Sequence, residues 1–107
     1  MAKPYLIIVT GRVGSGKTTL AENLSNDFYM PLISRDKIKE GYVNTFAKSH
    51  LELPQESNKI VTEIFFDTLK KLLTNNVSVL AEAAFQHGVW KSKLEEFKDI
   101  ARIYINL

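Results

Sequence analysis

The chain has 107 residues, of which 45% are hydrophobic and 24% charged, with a formal net charge of +2 and no cysteine. This is enough chain for one domain around one core, with an ordinary globular balance. The charge is too small to argue by itself for a nucleic-acid or membrane partner, and the missing cysteines exclude a disulfide framework and a thiolate metal site.

Residues 5–10 (Tyr5, Leu6, Ile7, Ile8, Val9, Thr10) are an apolar run that stops at Gly11. Such a run reads as a fully buried strand of a parallel sheet. It is too short for a signal-peptide core and lacks a small-residue cleavage site. No stretch approaches the roughly 20 apolar residues of a membrane span. The expectation is a soluble, cytoplasmic protein without a membrane partner.

Residues 18–28 carry Leu20, Leu24 and Phe28 at i, i+4 and i+8, a single helical stripe. Residues 31–34 make a short second strand. Residues 36–47 read as a helix with Ile38, Tyr42, Val43 and Phe46 along one face, interrupted by Gly41. Residues 49–57, with Pro54, form a loop. Residues 58–73 give the clearest helix, with Ile60, Val61, Ile64, Phe65, Leu69, Leu72 and Leu73 on a broad apolar face closed by Asn75 and Asn76. Residues 77–81 are a third strand. Residues 90–100 form a charged helix with Leu94 and Phe97 inward, and residues 101–107 a fourth strand.

The order βαβααβαβ implies an α/β fold: a parallel sheet of four strands with right-handed crossovers and helices on both faces. The last strand reaches the final residue with no helix after it, so the chain is expected to be the N-terminal part of a longer domain. With its apolar Ile103, Ile105 and Leu107, that strand is expected to favour self-association through an unpaired edge.

Between the first strand and the first helix, residues 11–18 match G-x-x-x-x-G-K-[ST], the P-loop pattern of the P-loop NTPase fold. Glycines at 11, 14 and 16 permit backbone conformations that turn successive N–H groups toward an anion. The following helix adds its N-terminal dipole and unpaired N–H groups. The nucleotide contacts expected from this pattern are Gly11, Arg12, Val13, Gly14, Ser15, Gly16, Lys17, Thr18 and Thr19. Lys17 reaches the β- and γ-phosphates and the Thr18 hydroxyl ligates Mg²⁺. ATP and Mg²⁺ are therefore the expected cofactors. Arg12 sits in the loop and either touches phosphate or points to solvent. A guanine-specific GTPase is disfavoured because no Asn-Lys-x-Asp occurs.

With the P-loop, two further segments resemble the small P-loop kinases, the group of polynucleotide kinases, zeta-type toxins and chloramphenicol phosphotransferase-like proteins. They are Ser34-Arg35-Asp36-Lys37-Ile38-Lys39 and Val79-Leu80-Ala81-Glu82-Ala83-Ala84-Phe85. The resemblance implies that Asp36, just after the second strand, faces an acceptor hydroxyl. Phosphoryl transfer to an alcohol independently calls for a carboxylate that orients the hydroxyl and takes its proton late. A substrate is expected at the carboxyl end of a strand beside the loop-bearing strand. The structural alternative is that Asp36 only favours a helix start. The resemblance also implies that Glu82 lies near Mg²⁺ and the γ-phosphate, acting through water, where an Asp is more usual. Its alternative is a salt-bridge or helix-dipole partner.

Arg35 and Lys39 are candidate substrate contacts, each with a surface-charge alternative. Polynucleotide kinases carry an arginine at the place of Lys39, and a lysine lacks its bidentate geometry. His87 and Trp90 fit a pocket lining or, more simply, structural roles. The function expected is an ATP-dependent phosphotransferase acting on a hydroxyl of a small molecule or nucleotide. A nucleotide-binding module without kinase activity and a nucleic-acid 5′-hydroxyl kinase are the alternatives. The only arginines are Arg12, Arg35 and Arg102, so little is available to neutralise charge in the transition state. The 107 residues alone are expected to be a poor catalyst.

Overall fold

The computed structural model describes residues 2–11, 16–46, 56–84 and 87–106. The apolar run near the N-terminus forms β1 (Tyr5–Val9), followed by α1 (Lys17–Phe28), β2 (Leu32–Ser34) and α2 (Arg35–Phe46). Then come α3 (Glu56–Thr74), β3 (Val79–Glu82), α4 (His87–Phe97) and β4 (Arg102–Asn106). This is the order expected from the alternating patterns. The four strands are parallel and lie in the order β2-β3-β1-β4.

Because side chains alternate along a strand, the sheet has two apolar faces to cover. Leu6, Ile8, Val79 and Ala81 point to one face, where they pack with Phe65, Phe66, Leu69 and Leu73 of α3 and Trp90 and Phe97 of α4. Val9 and Leu80 point to the other, against Ala21 of α1, with Ile7, Leu24, Met30 and Leu32 around them. Helices on both faces are therefore observed. Among the described residues, no helix is long and apolar enough to cross a membrane.

Three local expectations need correction. Leu20 and Phe28 lie at the margin of the contact with the sheet, 37% and 56% exposed, while Ala21 is fully buried and Leu24 packs beside it. Ala21 centres the contact of α1 with Val9 and Leu80, so the stripe of larger side chains packs at Leu24 and not along its whole length. On α3, Ile64 is exposed and Phe66 is buried, the reverse of the expected face. This helix packs against α4 as well as the sheet, so its buried arc extends to Phe66, whose ring meets Trp90 edge-on at 5.7 Å. Finally, β3 starts at Val79 rather than at residue 77. Val77 instead donates its N–H to Leu72 O (2.9 Å), closing α3, and Ser78 Oγ accepts the N–H of Tyr5 (2.9 Å). Asn76, with φ 64°, sits in the left-handed region at this helix end, as the Asn75-Asn76 pair suggests.

The aromatic cluster supports a direct test. Phe66→Ala should cost about 3–5 kcal/mol, the usual scale for emptying a buried phenyl site. Ile64→Ala should cost less than about 1 kcal/mol, as for a largely solvated position. Urea unfolding of the two variants decides between the observed and the expected faces, and equal losses would contradict the packing.

β4 is an outer strand, paired with β1 along one edge. Tyr104 and Ile105 are each about half exposed. On the α1 side, Tyr5, Ile7, Phe28, Met30 and Tyr104 line an open apolar depression of about 310 Å³.

Candidate functional site

The loop after β1 begins at Gly11, whose φ of 155° lies outside the range favoured by side-chain-bearing residues. Arg12, Val13, Gly14 and Ser15, four of the expected phosphate contacts, lie outside the described residues. The loop re-enters at Gly16, with φ 84° and ψ 9°, as the N-cap of α1. A Cβ at Gly16 would meet no atom within 4 Å, so the left-handed backbone rather than crowding requires glycine there.

Among the described residues no side chain caps this helix start, and its first turn holds no acidic residue. The first N–H groups and the positive end of the helix dipole are thus left for an anion. Lys17 is buried at this end, whereas Thr18 and Thr19 are exposed on the first turn. A lysine followed by two threonines on the first turn of a helix is what the P-loop pattern calls for at this place.

Glu82 is the last residue of β3 and only 2% exposed. The strand register sets it between Val9 of β1 and Ser34 of β2. Its Oε1 accepts the hydroxyl of Ser34 at 3.2 Å and that of Thr18 at 3.5 Å, the latter at the long limit of a hydrogen bond. Its Oε2 is buried and has no hydrogen-bond partner among the described residues. A buried carboxylate oxygen left in that state is costly unless a cation or donor approaches it. The oxygen set of Thr18 and Glu82 therefore fits Mg²⁺.

The topology explains why the site lies here. The connection leaving β1 enters α1 on one face, and the connection leaving β3 enters α4 on the other. The two depart in opposite directions along the sheet from the carboxyl ends of β1 and β3. This is the topological switch point where open α/β sheets bind ligands.

The acceptor side is arranged differently from the expectation. The strand preceding Asp36 is not beside β1, because β3 lies between them. Pairing β2 with β3 puts Glu82 at the centre of the row and sets Asp36 one strand farther from the loop. Asp36 is exposed on the first turn of α2. Arg35 is half-buried and faces α3: its Nε donates to Thr62 Oγ1 (3.2 Å) and a terminal nitrogen donates to Asn58 O (3.3 Å). These bonds tie the start of α2 to α3. Lys39 is half-buried, one turn beyond Asp36. Trp90 belongs to the core, with its ring 6.1 Å from that of Phe65. The side chain of His87, at the start of α4, lies outside the described residues.

Ser34 is the site residue that sequence reasoning missed. It is buried, bonds Glu82, and accepts the N–H of Lys37 at 3.5 Å as the cap of α2. A serine directly before the acidic first turn of a helix is a capping signal that sequence alone offers.

Residues 6–104 match the family model described as AAA domain. The chain is similar to a solved structure of a "putative kinase" from Chloroflexus aurantiacus J-10-fl, with 27% identity and a TM-score of 0.85. The alignment covers 99% of this chain and 58% of that one, so the chain spans little more than half the length of that protein. A chain of the Pnkp1/Rnl/Hen1 RNA repair complex shares the fold, with 20% identity and a TM-score of 0.80 over 99% of this chain and 33% of that one. So does a sugar kinase from Janibacter sp. HTCC2649, with 17% identity and a TM-score of 0.62 over 87% of this chain and 54% of that one. No curated protein matches.

Proposed function

This chain belongs to the AAA domain family as a P-loop kinase-like domain, and on that premise we propose that it binds Mg·ATP and passes the γ-phosphate to a hydroxyl. The observation that carries the reading is the buried Glu82, with one oxygen unpartnered among the described residues, between the Thr18 hydroxyl and the strand end leading to Asp36.

The roles divide by position. The backbone of residues 11–18 and the start of α1 hold the phosphates, and Lys17 neutralises charge on the β- and γ-oxygens. Thr18 and, through water, Glu82 hold Mg²⁺, which when bound neutralises charge developing between the two phosphates. Asp36 orients the acceptor hydroxyl. As the acceptor oxygen bonds to the γ-phosphorus, the bond from that phosphorus to the β–γ bridging oxygen breaks. ADP leaves with the electron pair and Asp36 takes the acceptor proton. Arg12 and Lys39 are reserves of positive charge for phosphate and substrate. Arg35 serves the same end only by leaving its bonds to α3. The acceptor is a small-molecule or nucleotide hydroxyl. A nucleic-acid 5′-hydroxyl is the less favoured alternative, since Lys39 offers no bidentate grip on a substrate phosphate.

The test is transfer from γ-labelled ATP to a panel of sugars, nucleosides and 5′-hydroxyl oligonucleotides, with Mg·ATP binding followed by calorimetry. Binding with transfer to a sugar or nucleoside is expected. Label passing only to oligonucleotides would replace this acceptor by the alternative. Binding with no transfer to any acceptor would reduce the protein to a nucleotide-binding module.

A further inference from the structure

Ser34 lies at the junction of two things that phosphoryl transfer must keep in register. Its hydroxyl donates to Glu82 Oε1 at 3.2 Å and accepts the Lys37 N–H at 3.5 Å. A hydroxyl has one proton to give and lone pairs to receive, so both bonds form at once. Ser34 is itself 6% exposed and Glu82 2%, so water competes poorly for either group. The register sets Ser34 directly opposite Glu82. The next two residues are Arg35 and Asp36, and Arg35 is braced against α3.

We infer that Ser34 is a positioning residue that locks the Glu82 carboxylate for Mg²⁺ while fixing the first turn of α2 that carries Asp36. The inference rests on the proposed Mg·ATP reading and deepens it. Oε1 is occupied by the hydroxyls of Ser34 and Thr18, and Oε2 has no hydrogen-bond partner among the described residues. A carboxylate held by one oxygen keeps its other oxygen aimed, and such outer partners commonly set metal affinity. Without the Ser34 bond, Glu82 regains rotamer freedom and must be ordered again whenever the ion binds. The cap on α2 weakens in the same substitution, so the acceptor carboxylate loosens together with the metal-side carboxylate.

The experiment is calorimetric titration of ATP into the whole chain over a series of Mg²⁺ concentrations. Ser34→Ala is expected to raise the Mg²⁺ concentration at half-effect about tenfold, the lower end of the range for removing an outer partner of a metal ligand. ATP affinity without Mg²⁺ should stay at the wild-type value. Ser34→Thr, which keeps the hydroxyl, should restore the midpoint. A purely structural serine would lower the melting temperature and leave the Mg²⁺ midpoint in place, and that result overturns the inference. If Ser34→Ala fails to fold, Ser34→Cys takes its place, since a thiol fills the site with a weaker donor. Its midpoint should also rise, and a wild-type midpoint there overturns the inference equally. Lys17→Ala in the same titration keeps the two claims apart. Wild-type ATP binding by that variant removes the phosphate-site reading, whereas a shift confined to it leaves that reading standing and removes the role of Ser34.

Discussion

Lys17→Ala should lower ATP affinity by about 10²-fold or more, beyond easy detection by calorimetry. Lys17 is buried at the head of α1, where a contact with phosphate oxygens would be poorly screened by water. Truncating one partner of a buried, hydrogen-bonded charge pair costs about 2–5 kcal/mol, and each 1.4 kcal/mol is tenfold in affinity. The helix-start N–H groups remain in the variant, so weak binding of free phosphate should persist. The loss of the lysine stem also removes some packing, and a circular dichroism melt separates that effect from the binding loss. ATP binding at wild-type affinity in a folded variant would refute the phosphate site.

The second large effect is expected at Asp36. Asp36→Asn keeps the size and polarity of the side chain and removes the proton-accepting carboxylate. ATP affinity should be nearly unchanged, because β3 separates β2 from the strand that feeds the phosphate loop. Transfer to the acceptor should fall about 10²-fold or more, the usual scale for a positioned general base. The exposure of Asp36 on the first turn of α2 leaves it open to an acceptor. It also means that the substitution should do little to the fold. A transfer rate equal to wild type would demote Asp36 to an acid that merely favours a helix start.

The two variants divide the site as the sheet divides it. Lys17 starts α1, after the loop that follows β1, and is expected to govern nucleotide affinity. Asp36 follows β2, on the first turn of α2, and is expected to govern transfer to the acceptor. Glu82 ends the strand between them, so Glu82 and its partner Ser34 are where changes on one side are expected to reach the other.

The element order and the phosphate loop were legible in the chain because both depend on neighbours in sequence. An unbroken apolar run such as residues 5–9 suits a strand buried on both faces. A glycine-rich turn followed by lysine and threonine needs only a strand before it and a helix after it. The left-handed backbone at Gly16 and the closure of α3 at Asn75 and Asn76 are likewise local. Tertiary packing settled what those patterns left open. Which strand lies beside β1 is set by crossovers whose length the sequence does not limit, and β3 rather than β2 takes that place. Helical periodicity identifies an apolar face only to within one residue's rotation. The neighbouring α4 therefore decided that Phe66 and not Ile64 is buried, and the packing of α1 on the sheet decided that Ala21 is buried while Leu20 stays partly exposed. The bond from Ser34 to Glu82 joins residues 48 positions apart. It exists because parallel register brings two strand ends level, a relation that no local spacing carries.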